Sequence, residues 1–77
     1  MMDRLLKVLR KIKPEIDFIN SKNLVDEGTL DSIDIVSIII EIEKEYSIEI
    51  NPSEIDPDNF QSIYDILELV EKTIGNA

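Results

Sequence analysis

The 77 residues hold 17 acidic and 8 basic side chains, for a net charge of −9, with no Cys and no His. A chain this short is expected to fold as one domain with a thin stability margin. The missing residue types exclude disulfides and zinc–thiolate sites, and remove the commonest general base, so neither a metal centre nor most enzyme mechanisms are expected.

The negative charge disfavours nucleic acid, whose phosphates it repels. Ile38-Ile39-Ile40 is too short an apolar run to span a bilayer, and the N-terminus lacks the layout of a secretory signal. No membrane insertion is expected, and a cytoplasmic monomer is the default. Charge is unevenly spread. Arg4, Lys7, Arg10, Lys11 and Lys13 face Asp3 alone, whereas residues 26–45 carry seven carboxylates and one Lys. Such an acidic segment either docks onto basic patches or only keeps the domain soluble.

The first predicted helix runs from Asp3 to Lys13, with Leu5, Leu6, Val8, Leu9 and Ile12 at helical spacing and Pro14 ending it. Residues 14–31 read as a long loop rich in turn formers, anchored by Phe18, Leu24, Val25 and Leu30. Loops this long in small domains are more often functional than idle.

A second helix is predicted from Asp31-Ser32 to about Tyr46, capped by either Asp31 or Ser32. Its many Ile residues leave a strand over 35–40 as the alternative, but Glu41-Ile42-Glu43-Lys44-Glu45 favours helix. Asn51-Pro52-Ser53-Glu54 signals a short third helix, with Asn51 as cap and Glu54 reaching back, soon interrupted by Asp56-Pro57. The last helix starts near Ser62, where Ser62 and Asp65 have capping-box spacing. Ile63, Leu67, Val70 and Ile74 form its predicted stripe, and Gly75 its stop.

Helix two has two apolar stripes at steps of roughly 100°. One is Ile35, Ile38, Ile39, Ile42 and Tyr46; the other is Ile33, Val36 and Ile40. A surface helix needs one apolar face, so the second either meets a partner or is buried in a central helix. Just before it, Ser32 sits at a loop-to-helix junction between Asp31 and Asp34. Alone, such a Ser is normally just an N-cap.

Leu30-Asp31-Ser32-Ile33-Asp34, the doubly apolar helix, the Glu-rich stretch ending at Tyr46 and the closing helix together resemble the acyl carrier protein family. The resemblance covers nearly the whole chain, and the family's Asp-Ser-Leu motif stands here as Asp31-Ser32-Ile33. It implies an all-α, acyl-carrier-like four-helix bundle with three main helices and one short one. It also implies covalent 4'-phosphopantetheine from coenzyme A on Ser32, with Asp31 helping to position the transferase's metal or phosphate. The arm would supply the thiol that the polypeptide lacks. No catalytic residue is implied: no His or Lys adjoins Ser32 to activate it.

By the same resemblance, Ile33, Asp34, Val36 and Ile40 form the partner surface, and acidic residues flanking helix two steer docking onto basic enzymes. Ile35 lies beside the place where an acyl chain tucks. The implied partners are a phosphopantetheinyl transferase, an acyl- or aminoacyl-activating ligase, and an acyltransferase or condensing enzyme. Fatty-acid carriers typically have a Gly-Ala-like lead, and Glu at the positions matching Ser37 and Lys44. The lead Gly28-Thr29-Leu30 looks more like stand-alone aminoacyl carriers, such as the D-alanyl carrier of teichoic acid modification, or discrete peptide-synthetase and polyketide carriers.

Asp56-Pro57-Asp58-Asn59 is not a calcium loop, because the sixth and twelfth positions from Asp56 are Gln61 and Leu67 rather than Gly and Glu. With Gly only at positions 28 and 75, no phosphate-cradling glycine loop exists. The competing reading is a non-catalytic helical interaction module whose Ile33, Val36 and Ile40 grip a partner helix without any prosthetic group. A small enzyme is the remote third.

Overall fold

The computed structural model describes residues 1–75, and these hold three α-helices, two 3-10 turns and no strand. Helix α1 spans Met2–Ile12, α2 Ser32–Tyr46 and α3 Ile63–Gly75; the turns are Pro52–Glu54 and Pro57–Phe60. This is the all-α, carrier-like arrangement expected, with the short helix realised as two 3-10 turns.

Leu5, Val8 and Leu9 bury one face of α1 at the spacing of adjacent helical turns. Lys13 leaves helical geometry at φ −135°, as the residue before Pro14 must. In α2 the burial of Ile38, Ile39 and Ile42 outweighs the modest helix propensity of Ile, and the strand alternative over 35–40 falls. The helix closes at Ser47, which adopts the left-handed region at φ 54°, while the Ile48 amide returns to the Glu43 carbonyl at 3.2 Å.

Asn51 caps the first 3-10 turn by accepting from the Ser53 amide at 3.0 Å. Glu54 does not reach back; its carboxylate pairs instead with Lys72 on α3 at 2.9 Å. Asp56-Pro57 starts a second turn rather than ending structure, because the Asp56 carboxylate accepts from the Asp58 amide at 2.9 Å. Ser62 caps α3 as expected: its hydroxyl accepts from the Asp65 amide at 3.2 Å and donates to the Asp65 carboxylate at 3.0 Å.

The buried face of α3 is Ile63, Ile66, Leu69 and Val70. The predicted stripe is thus corrected: Leu67 is half-buried and Ile74 is exposed. The Pro57–Phe60 turn and α1 both pack against α3. Gly75, expected as the stop, is the last residue of α3 among those described.

The loop over residues 14–31 is tied down at both levels. Phe18, Leu24 and Leu30 are buried in the core, and Val25 is half-buried. Gln61, itself buried, clamps the loop from across the chain. Its side-chain oxygen accepts from the Val25 and Asp26 amides at 3.0 and 3.2 Å, and its amide nitrogen donates to Asp26 at 2.9 Å. Its backbone carbonyl accepts from Leu24 at 2.9 Å. Gly28 takes φ +76° to turn the chain back toward Leu30, whose amide bonds the Leu24 carbonyl at 2.9 Å.

Helices α1 and α2 pack antiparallel, and ion pairs join their ends. Arg4 meets Glu45 at 2.7 Å, Lys11 meets Glu41 at 3.7 Å and Lys13 meets Asp34 at 3.3 Å. Arg4 also lies over the Tyr46 ring, 4.5 Å from its centroid. Solvent screens the exposed pairs at Arg4 and Lys11, so these set register more than stability.

Candidate functional site

The start of α2 resolves which residue caps it. Asp31, in extended geometry, accepts from the Asp34 amide at 2.8 Å, and the Asp34 carboxylate accepts from the Asp31 amide at 3.2 Å. The capping box is closed by these two carboxylates, so the Ser32 hydroxyl is not spent on capping. Ser32 is the first helical residue, and it is exposed. The first amides of a helix have no intrahelical acceptor. Here side chains take those of Asp31 and Asp34, which leaves those of Ser32 and Ile33 open to an anion.

Burial pushes the Asp34 carboxyl up, but the Asp31 amide and the Lys13 ammonium outweigh it and hold the group below the usual carboxylate range. Lys13 is held above its ordinary value, first by its bond to Asp34. The carboxylate of Asp34 is therefore committed within the chain, and its side chain is only 14% exposed.

The two stripes of α2 separate as the spacing suggested. Ile38, Ile39 and Ile42 are buried, and Ile35 and Tyr46 are half-buried. Ile33, Val36 and Ile40 are 76%, 54% and 50% exposed. A central helix buried on most sides is thus ruled out. Beside Ser32 lies an open groove of about 220 Å³ lined by Ser32, Ile35, Val36, Ile55, Asp56 and Pro57. A hollow of about 410 Å³ beside Ser47, Ile48 and Lys72 is larger but lies at the other end of α2, away from the hydroxyl.

Of the residues singled out in the sequence, Ser32, Asp31, Ile33 and Val36 gather at the head of α2, and Ile40 extends their line. Asp34 sits at the same head but turns its carboxylate toward Lys13. Gln61 and Lys13, which support this head from the loop and from α1, carried no sequence signal: their partners lie 35 or 36 and 21 residues away. No helix among the described residues is long and apolar enough to cross a membrane, and no group of His, Cys, Asp or Glu among them could hold a metal ion.

The head of α2 thus sets an exposed serine at a helix start beside an uncovered aliphatic line. The family model for the phosphopantetheine attachment site matches residues 3–70. The chain belongs to that family of carriers, whose members bear covalently attached 4'-phosphopantetheine and work by meeting partner enzymes. No curated protein and no solved structure matches it significantly.

Proposed function

We propose that Ser32 carries the arm. On this reading the chain holds an acyl or aminoacyl group as a thioester and delivers it to enzymes of a fatty-acid, polyketide, peptide or D-alanyl transfer pathway. In loading, the Ser32 oxygen attacks the pantetheine phosphorus of coenzyme A. The bond from that phosphorus to adenosine 3',5'-bisphosphate breaks, and the serine proton passes to the transferase. The need for coenzyme A and activating ligases makes the cytoplasm the site of action.

The observation that carries the reading is the exposure of Ser32 at the first position of α2, with its hydroxyl unspent and Ile33 and Val36 uncovered beside it. The open amides of Ser32 and Ile33 suit a phosphodiester at the positive end of the helix dipole. Lys13 offsets the charge of Asp34, the carboxylate that would otherwise repel that phosphate. The groove along Ile35 and Ile55 gives the arm or its cargo an apolar rest.

The test is mass spectrometry after incubation with coenzyme A and a broad-specificity phosphopantetheinyl transferase. One arm is expected on the wild type and none on Ser32→Ala. A gain that persists in Ser32→Ala puts the arm elsewhere. No gain on the wild type leaves the interaction module without a prosthetic group.

A further inference from the structure

The groove beside Ser32 has two walls of different origin. Ile35 and Val36 of α2 form one; Ile55 and Asp56, which link the two 3-10 turns, and Pro57 form the other. The second wall is fixed by its own bonds. The Ile55 amide donates to the Pro52 carbonyl at 3.1 Å, and the Asp56 amide to the Glu54 carbonyl at 3.0 Å. The Asn59 side chain donates to that same Glu54 carbonyl at 2.7 Å. A preformed wall costs a ligand little ordering.

Asp56 is the one polar side chain of the lining besides Ser32. One of its carboxylate oxygens accepts from the Asp58 amide at 2.9 Å. Among the described residues no ion pair engages the group, and Asp31, at the head of α2, likewise has no cation within 4 Å. The groove therefore offers aliphatic walls and an uncompensated acceptor. A neutral ligand with apolar bulk and hydrogen-bond donors matches it; an anionic one does not.

Beyond its phosphate, pantetheine is such a ligand: it is neutral and carries geminal methyls, a hydroxyl and two amide N–H groups. Tied to Ser32, which lines the groove, it is present at an effective concentration of the order of millimolar, so even a weak site fills. Its roughly eighteen non-hydrogen atoms, at interior packing density, need about 300 Å³. The groove holds about 220 Å³, so the arm more than fills it and leaves no room for cargo. Behind it Ile38, Ile42, Phe60 and Ile63 are completely buried. Resting on the Ser32 reading, we propose that this groove seats the pantetheine part of the arm, with the Asp56 carboxylate accepting from its hydroxyl or amide N–H, and that the cargo lies outside the fold.

The test compares the chain without the arm, with the arm, and with an octanoyl group on the arm, by NMR and by thermal melting. The geminal methyls of the arm should show Overhauser contacts to the methyls of Ile35 or Ile55. Adding octanoyl should leave the core signals of Ile38, Ile42 and Ile63 where the unacylated arm left them. Attaching the arm should raise the melting temperature by about 2–6 °C. Asp56→Asn can still cap the Asp58 amide, but its neutral acceptor should cut that rise by about half. Were Asp56 only a like charge near the phosphodiester, the rise would grow in Asp56→Asn instead. A rise that is unchanged or larger in that variant, geminal methyls without contact to the groove, or core signals that move with octanoyl overturns the proposal. Those results remove this inference alone; a wild type that never accepts the arm removes the Ser32 reading itself.

Discussion

Replacing Gln61 by Ala tests what holds the loop that delivers Ser32. The side chain bonds the amides of Val25 and Asp26 and the carboxylate of Asp26, all partly buried. Two amide donors would lose their acceptor. A buried donor left unpaired costs about 1–3 kcal/mol, and partial exposure puts each near the lower end. With the lost bond to Asp26, the sum is about 2–3 kcal/mol. A domain of this size has only about 4–12 kcal/mol in all. The melting temperature followed by circular dichroism should therefore fall by about 10–20 °C. Native-state hydrogen exchange should show the Val25 and Asp26 amides losing protection at temperatures where α2 keeps its own. A fall under about 4 °C, with both amides still protected, would show that backbone bonds and the buried Leu24 and Leu30 hold the loop without the clamp.

Two further perturbations address the ends of α2. Asp34 has a folded pKa below its unfolded value, so its contribution is present above the unfolded pKa and is lost as pH falls through the folded one. Asp34→Asn should therefore melt lower than the wild type at neutral pH, with the gap closing as pH falls below the usual carboxylate range; a pH-independent gap in melting temperature would refute this linkage. Ser47→Gly relieves a side chain held at φ 54° and should stabilise the fold by up to about 1 kcal/mol in urea titration. A loss of stability on that change would mean the Ser47 side chain makes a contact that outweighs its backbone strain.

How much of this was legible depended on whether the cause was local. The division of α2 into two stripes was readable because side-chain direction repeats every 3.6 residues, whatever the neighbours are. The cap was half readable: Asp31 and Ser32 are both good cap residues, and only the reciprocal bond from Asp34 shows that the hydroxyl stays free. In α3, spacing marks a helix but not which side its neighbours cover: the stripe predicted over Ile63, Leu67, Val70 and Ile74 keeps Ile63 and Val70 but runs through Ile66 and Leu69. Glu54 has capping-box spacing, yet Lys72 competes for it from α3. The clamp by Gln61 had no signature at all, since an isolated Gln announces neither its burial nor a partner 36 residues away.

The same distinction bears on the charge. A basic first helix and an acidic second one are plain in the sequence, and they suggest a dipole offered to a partner. Antiparallel packing changes the consequence. It sets Arg4, at the start of α1, against Glu45, at the end of α2, and it brings Lys13 to Asp34 at the head of α2. The pairing removes free negative charge from the helix that bears Ser32. It does so most usefully where a phosphodiester would be placed, because Asp34 is a helical neighbour of Ser32 and its repulsion would oppose the pull of the open amides. With Lys13 beside that carboxylate, its repulsion of such a group is reduced. Arg4, Lys11 and Lys13 thus act on α2 itself before they act on any partner.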